Sequence, residues 1–212
     1  DFHAFAVAEP RSGGFQLMPD NMHFLIDQYV DQPQNLRALA SLSFKDYTTA
    51  IHSINVMALV VVFCFYVGFS MEETLNIGLG ALYHDIGKTR ISSKILKATR
   101  KLTDAEFEIM KSHTLKGYHL IEDSNLDNEG IRCAIMEHHE KLDGSGYPNH
   151  IVDVSLYGQI VGIIDTYEAL TNESRPYREA ARPLDALRLI KGDVDKGKFS
   201  YKFFEKFAYS LI

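Results

Sequence analysis

Side chains that could ligate metal recur along this chain at separations close to the length of one helix plus its connection. They are His52, His84, Asp85, His113, His138, His139 and Asp165. From each of these stretches to the next the gap is 25 to 32 residues. In a helical bundle, side chains that point inward from facing helices build the metal sites. The spacing therefore predicts a bundle in which each helix contributes one ligand or an adjacent pair.

Helix-start signals support this architecture. Capping boxes occur at 70–73 and 103–106, where a Ser or Thr is followed three residues later by Glu. The alternation of apolar and polar residues that is typical of a half-buried strand is scarce beyond residue 20. We predict helices over 46–69, 70–86, 103–121, 128–140, 156–172, 183–191 and 200–210. The predicted fold class is all-α.

The first 40 residues have a separate character. Residues 2–8 are apolar and partly alternating, and Pro10 and the pair Gly13–Gly14 then interrupt the pattern. We interpret residues 1–40 as the remnant of an upstream regulatory module and residues 41–212 as the helical domain. Because the chain begins at Asp1 rather than at Met, we expect a fragment of a longer protein.

Composition excludes several function classes. A net charge of −6 argues against binding of a nucleic-acid polymer, which requires a broad basic surface. Two cysteines, Cys64 and Cys133, are too few for a disulfide scaffold and indicate a reduced, cytoplasmic chain. The uncharged stretch over 56–69 is shorter than the roughly 20 residues of a membrane-spanning helix. We therefore expect a buried core helix there and no membrane insertion.

The residue types in the recurring set indicate a binuclear metal centre. Neutral imidazoles and carboxylates suit divalent metals of borderline hardness, and no thiolate takes part. The adjacent His84 and Asp85 can serve two metals, or Asp85 can bridge them. A two-metal site positions a hydroxide and neutralises phosphoester oxygens, so phosphoester hydrolysis is the expected reaction class. Each stretch taken singly also has an explanation without metal. His52 could be a core histidine, residues 84–85 a pair at a helix end, and residues 138–140 a solvated face.

Basic residues concentrate directly after Asp85. The segment 88–101 carries six Lys or Arg residues and no acidic one. On an acidic protein such a segment can attract a phosphorylated substrate, although a solvated loop and helix would have the same composition. Lys88, three residues from Asp85, is the member that we expect close to the metals.

Two of these stretches resemble the signatures of a known family. Residues 84–88 (HDIGK) are similar to the HD-x-G-K signature of the HD phosphohydrolases, and 138–148 (HHEKLDGSGYP) match every fixed position of the HHE-x-x-DG-x-GYP signature of the HD-GYP subfamily. Residues 175–178 (RPYR) resemble a stretch downstream in that subfamily. The resemblance covers about residues 41–210 and implies an HD-type helical bundle.

The resemblance implies a metal-dependent phosphodiesterase that converts the bacterial second messenger cyclic di-GMP to linear pGpG or GMP. It implies two divalent metal ions, commonly iron or manganese, held by the recurring set, with Asp85 as bridge. Asp85 and Lys88 would be catalytic, with Lys88 near the attacking hydroxide and a phosphate oxygen. Lys88, Arg175, Arg178 and Tyr147 would contact substrate.

The loop that gives the subfamily its name also has a physical interpretation. Its named residues are Asp143, Gly144, Gly146, Tyr147 and Pro148. Gly144 and Gly146 allow backbone angles closed to other residues, and Pro148 stiffens the exit. Such a loop can place Tyr147 at the mouth of the metal site, for contact with substrate or with a signalling-protein partner; a plain connection between helices is the alternative.

Departures from the family pattern leave other functions open. Thr48 stands where members with three metals carry a glutamate, so we expect two metals. The segment 92–100 lacks the prolines and the glycine usual there, and Glu168 replaces an aspartate. One alternative is a degenerate member that binds metal, with or without cyclic di-GMP, and acts as a sensor or interaction module. Another is an HD hydrolase acting on a linear nucleotide or (p)ppGpp, against which the complete loop argues.

Overall fold

The computed structural model describes residues 43, 45–122, 124, 128–172 and 180–211. Its α-helices are α1 (Tyr47–Val67), α2 (Met71–Tyr83), α3 (Ser93–Leu96), α4 (Asp104–Lys111), α5 (His113–Glu122), α6 (Glu129–Glu137), α7 (Leu156–Thr171), α8 (Pro183–Asp195) and α9 (Tyr201–Ser210). A 3-10 helix spans Ile86–Arg90. No strand occurs in these residues, so the all-α prediction is confirmed. The division at residue 40 stays a prediction, because residues 1–40 lie outside the described part.

Both capping boxes form as predicted. The Ser70 hydroxyl accepts the backbone N–H of Glu73 at 3.2 Å, and the Glu73 carboxylate accepts the backbone N–H of Ser70 at 2.8 Å. Thr103 and Glu106 exchange the same two bonds at 3.3 and 2.9 Å. These side chains satisfy backbone donors that a helix start leaves without partners, so α2 and α4 begin where the sequence predicts.

Two predicted helices have wrong boundaries, and both errors lie next to candidate metal ligands. The helix predicted over 70–86 ends at Tyr83, because Asp85 (φ −102°, ψ 6°) leaves the α-helical region and the chain tightens into the 3-10 helix. The helix predicted over 103–121 is divided at Ser112, whose hydroxyl donates to the carbonyl of Ile109 at 2.5 Å and competes with the backbone ladder. His113 therefore begins a new helix.

Other boundaries move by a few residues. The helix predicted over 128–140 ends at Glu137, so that His138 is its C-cap. Conversely, α8 continues to Asp195, beyond the predicted end at 191. The first of these shifts places another candidate ligand at a helix terminus, where the backbone direction changes.

The long helix α1 lies at the centre of the apolar core and packs on α2, α7 and α9. Core residues that are at most 2% exposed include Val56, Val60, Phe63, Ile77, Ile131, Ile135, Ile160, Ile163 and Phe207. The ring of Phe207 meets those of Phe63 and Tyr167 edge to face. Each such buried side chain contributes roughly 1.5–3 kcal/mol, so the core holds the ligand-bearing helices in place.

Helix α1 is also, in the part that the structure describes, the helix long and apolar enough to cross a membrane. The qualifying stretch is Thr48–Val67, 20 residues, which is longer than the fourteen uncharged residues considered from the sequence. A core helix meets the same criteria of length and composition, and half of this stretch is buried inside the molecule.

Candidate metal centre

The structure brings all seven candidate ligands together in two adjoining groups. His52, His84 and Asp85 form one, and His113, His138 and His139 form the other; within each group the ligand atoms lie within 4.8 Å of one another. Asp165 joins the first group, with Oδ1 at 2.9 Å from Nε2 of His52. We call His52, His84, Asp85 and Asp165 the carboxylate half, and His113, His138 and His139 the imidazole half.

Most of the histidine rings are oriented by a bond to the nitrogen that faces away from the centre. Nδ1 of His84 lies 2.6 Å from the carbonyl of Ala81, and Nδ1 of His113 lies 2.8 Å from that of Met110. Nδ1 of His138 lies 2.9 Å from the carbonyl of Ala134 and 3.0 Å from that of Ile135, both in α6. In each ring Nε2 is thereby left to face the centre, which is the usual arrangement of a metal-binding histidine.

Asp85 lies between the two halves. Its Oδ2 lies 3.3 Å from Nε2 of His84 and 3.7 Å from Nε2 of His52. Its Oδ1 points the other way, 3.3 Å from Nε2 of His113. A carboxylate whose two oxygens face different histidine groups has the geometry required of a bridging ligand.

Two buried atoms in the centre make no hydrogen bond. They are Nε2 of His84 and Oδ1 of Asp85, in residues that are 0% and 1% exposed. A buried polar atom without a partner costs free energy, and proteins seldom leave one unless it serves an ion or a ligand. These atoms are also of the kinds that bind divalent metals, so the residues fit the metal ions that the sequence predicts.

Asp85 and Asp165, the carboxylates of the carboxylate half, are ionised. Burial raises the pKa of Asp85, but the charge of Lys88 and then of His84 outweighs it and holds that pKa well below its usual range. Burial also raises the pKa of Asp165, but its hydrogen bond with His52 outweighs this and holds that pKa well below its usual range. For His52, burial lowers the pKa, and the hydrogen bonds with Asp165 and Glu168 outweigh this and raise it to about 9.

The imidazole half is neutral. Burial lowers the pKa of His113 to about 4. Burial, followed by the charges of neighbouring histidines, lowers the pKa values of His138 and His139 well below their ordinary range. Neutral imidazole is the form that binds metal, so this half needs no deprotonation near neutral pH.

A hydrogen-bond network behind His52 was not predicted from the sequence, where Glu168 was noted only as a departure from the family pattern. The Glu168 carboxylate bonds Nδ1 of His52 and accepts the side-chain amides of Asn55 and Asn172, both at 2.7 Å. It is 4% exposed. From the sequence, the only indication of this network was that Asn55 lies one helical turn from His52, on the same side of the helix. Glu168 is 116 residues from His52 in sequence, so only the folded structure shows that they are in contact.

Two glycines let the ligand-bearing elements approach closely. A Cβ on Gly87 would lie 1.9 Å from the carbonyl oxygen of His113, so only glycine lets the segment after Asp85 pack on α5. A Cβ on Gly162 would lie 2.5 Å from the carbonyl oxygen of His138. These contacts bring Asp85 to His113 and α7 to His138, and they give the glycine of the HD-x-G-K signature a steric role.

Lys88 is the member of the basic segment that reaches the centre. Its Nζ donates to Oδ2 of Asp85 at 2.5 Å, and its side chain is 19% exposed. Arg100 instead forms a two-point bond with Glu106 at 2.7 Å. Lys94, Lys97 and Lys101 are exposed. Arg175 and Arg178 lie outside the described residues.

The loop over 143–148 returns to the centre through Tyr147. The Tyr147 ring lies 4.6 Å from that of His139, and its backbone N–H donates to the His139 carbonyl. Gly144 has φ +76°, as predicted, whereas Gly146 is needed for space, since its Cβ would lie 2.4 Å from Cα of Glu140. Asp143 accepts the N–H and hydroxyl of Ser145, and Pro148 follows a cis peptide bond.

Glu140 is buried, so the alternative of a solvated face over 138–140 is wrong for this residue. It is 4% exposed, and its Oε1 accepts the backbone N–H of Asn149 at 2.6 Å, just beyond Pro148. The carboxylate therefore fastens the end of the loop to the segment that carries His138 and His139. Thr48 is exposed, and its hydroxyl donates to Asp46 rather than to a member of either half.

Comparison with known proteins found similar sequences and a similar fold. The family model described as HD domain matches residues 25–200. The chain is 31% identical over 158 residues to cyclic di-GMP phosphodiesterase PA4108 of Pseudomonas aeruginosa, covering 74% of this chain and 38% of that protein. It is 34% identical over 149 residues to 3'3'-cGAMP-specific phosphodiesterase 3 of Vibrio cholerae, and the match covers 69% of this chain and 32% of that protein. The chain thus spans less than half the length of these curated relatives.

A solved structure with a similar fold is the HD domain of the L. monocytogenes phosphodiesterase PgpH in complex with cyclic-di-AMP. It matches with a TM-score of 0.62 and 20% sequence identity, over 82% of this chain and 93% of that chain. The likeness confirms the HD-type helical bundle.

Proposed function

Because the chain belongs to the HD domain family, and within it to the HD-GYP subfamily, we propose that it is a metal-dependent phosphodiesterase that hydrolyses cyclic di-GMP. The products would be linear pGpG or GMP. Support comes from the relatives, which are named as phosphodiesterases of cyclic dinucleotides, and from a buried centre whose donor atoms suit divalent metals.

The observation that carries the proposal is the position of Asp85. Its two oxygens face histidines of different halves, and one of these oxygens is buried without a hydrogen-bond partner. The proposed ligands are therefore the three histidines of the imidazole half and the four residues of the carboxylate half, with Asp85 shared. When bound, two divalent ions would supply Lewis acidity and neutralise the negative charge on phosphate oxygens.

The residues of the chain have separate tasks in this proposal. Lys88 holds Asp85 ionised and in place, and its remaining N–H donors can bind a phosphate oxygen. Tyr147 closes one side of the centre through the contact of its tilted ring with that of His139. Arg175 and Arg178, in the RPYR stretch, would hold phosphate by charge-assisted hydrogen bonds. Protein partners at the loop over 143–148 stay a prediction.

Metal identity and location belong to the same proposal. Iron or manganese suits a donor set of imidazole and carboxylate without thiolate. A cytoplasmic location is supported by the two cysteines, Cys64 and Cys133, which are both free thiols.

The experiment is to incubate the purified, metal-loaded protein with cyclic di-GMP and to separate the products by chromatography. 3'3'-cGAMP and cyclic-di-AMP are run in parallel to rank the cyclic dinucleotides. We expect linear product from the wild type and none from Asp85→Ala. The matched control is Asp153→Ala, which removes an exposed carboxylate outside the centre and should leave turnover unchanged.

Three results would replace the proposal. Binding of cyclic di-GMP without product would assign a sensor, the function that the altered segment at 92–100 suggests. Turnover of linear nucleotides or (p)ppGpp alone would assign a different HD hydrolase. Equal turnover by Asp85→Ala would remove the centre from the reaction.

A further inference from the structure

A series of aromatic rings runs from the candidate centre to the surface. The ring of Tyr147 is tilted by 31° on that of His139, with centroids 4.6 Å apart. The ring of Phe107, on α4, meets Tyr147 edge to face at 6.4 Å. Phe107 is 46% exposed even though its ring contacts Tyr147. The series therefore ends in an apolar ring that is open to a ligand.

A cation lies over the same rings. Nζ of Lys111 is 5.0 Å from the centroid of Phe107 and 5.5 Å from that of Tyr147, within the range of a cation–π contact. Lys111 also donates to Glu108 at 2.7 Å, so two of its three N–H donors remain for another acceptor. An exposed ring and a cation with open donors are suited to a planar group that carries acceptor oxygens.

We propose that Phe107 and Lys111 form a platform for a nucleobase of the substrate, beside the metal centre. The proposal rests on the proposed function, since a phosphate bound at the centre leaves its nucleoside outside the buried ligands. Every nucleobase has a flat face that stacks on an aromatic ring, and such stacking is a main source of affinity for unpaired bases. Lys111 would bind an acceptor oxygen of the base or of the second phosphate.

The test separates the base from the phosphate. The full chain, loaded with Mn²⁺, is titrated calorimetrically with GMP and, separately, with inorganic phosphate. In Phe107→Ala we expect GMP to bind roughly 5- to 150-fold more weakly, the range measured for loss of one stacked base, while phosphate binding stays unchanged. Lys111→Ala should weaken GMP binding by about 2- to 5-fold if its contact is mainly with the rings.

Two matched variants complete the experiment. Ile109→Ala truncates a residue that is 44% exposed on the same helix, about 200° around from Phe107, and should bind GMP like the wild type. Phe107→Tyr keeps the ring and should retain GMP affinity. Thermal unfolding of each variant shows that the fold is kept.

The outcomes are distinct. Equal weakening for GMP and phosphate in Phe107→Ala, or an equal loss in Ile109→Ala, overturns the platform. Wild-type affinity for GMP no greater than that for phosphate overturns it as well. If Phe107→Ala loses GMP selectively although the wild type fails to hydrolyse cyclic dinucleotides, the platform stands and the proposed function fails. Turnover with an unchanged KM in Phe107→Ala rejects the platform alone.

Discussion

The carboxylate half and the imidazole half of the candidate centre lie side by side but are built differently. In the carboxylate half, His52 has Asp165 at one nitrogen and Glu168 at the other, and its pKa rises to about 9. In the imidazole half, His113 has a backbone carbonyl behind it, and burial lowers its pKa to about 4. Two histidines of one centre thus differ in protonation near neutral pH.

The difference shows how the charge of the centre is distributed. Three buried carboxylates, Asp85, Asp165 and Glu168, belong to or support the carboxylate half, where they offset positive charge, whereas the buried Glu140 accepts from the loop that follows His139. The imidazole half offers neutral donors, and two of its rings, His113 and His138, are oriented by carbonyls three or four residues earlier in the chain. We infer that His52 depends on long-range side-chain contacts, and His113 and His138 on local backbone geometry.

The largest expected effect comes from removing the residue that both halves share. Asp85→Asn replaces one charged oxygen by an amide and should lose most of the metal from both halves, with turnover falling at least about 100-fold, the upper end of what changes outside the ligand shell cause. Elemental analysis measures metal per chain, with Asp153→Asn as the control. Retention of two metals by Asp85→Asn would show that Asp85 is not a bridge.

Separating the halves sterically should have the next largest effect. Gly87→Ala forces a Cβ to within 1.9 Å of the His113 carbonyl and should destabilise the protein by about 1–3 kcal/mol or more. Gly192, in α8, has no atom near its added Cβ, so Gly192→Ala should stabilise by up to about 1 kcal/mol. Chemical denaturation measures both changes. Equal stability of the two variants would contradict the close approach at Gly87.

A substitution outside the ligand set should affect the carboxylate half alone. Glu168→Gln removes the charge behind His52 and should weaken metal affinity by about 10- to 100-fold at that half, as is typical of second-sphere carboxylates. Turnover should fall at limiting metal and recover at excess metal, as followed by metal titration. Glu122→Gln, at an exposed glutamate, is the control. A loss of turnover that excess metal does not restore would assign Glu168 another task.

In the metal-free protein the two halves should respond oppositely to pH. The folded state retains a proton on His52 up to about pH 9, so the unfolding free energy falls as pH rises from 6.5 to 9. The unfolded chain protonates its histidines below about pH 6.5, whereas folded His113 stays neutral to about pH 4, so stability also falls as pH decreases through that window. NMR titration of the histidines measures both values. If His52 and His113 titrated at the same pH, the predicted contrast between the two halves would be wrong.

The smallest effect concerns the helices that support each half. Cys64 lies on α1 with His52, and burial raises its thiol pKa to about 12, whereas Cys133 lies on α6, ahead of His138, and is half-buried. A thiol reagent at pH 8 should leave Cys64 unmodified in the folded protein and label Cys133 slowly, with both labelled after unfolding. Mass spectrometry of digests reads the sites. Rapid labelling of Cys64 would show that α1 opens readily.

The sequence was most informative where structure is local. The capping boxes at 70–73 and 103–106 placed the starts of α2 and α4, because a cap is complete within four residues. The helix ends were harder, since the break at Ser112 and the turn at Asp85 depend on backbone angles that the apolar pattern does not report. Those errors fell at candidate ligands, because a change of backbone direction is what turns two neighbouring side chains toward one centre.

The sequence by itself determined the helical class, the family and the kinds of donor atom in the centre, because these follow from residue types and from spacing along one chain. Tertiary structure alone decided that Asp85 faces both histidine groups, that Glu168 supports His52, and that Phe107 lies open beside Tyr147. Such contacts join residues far apart in sequence, and they depend on how closely helices pack, a property of the folded core rather than of any local pattern.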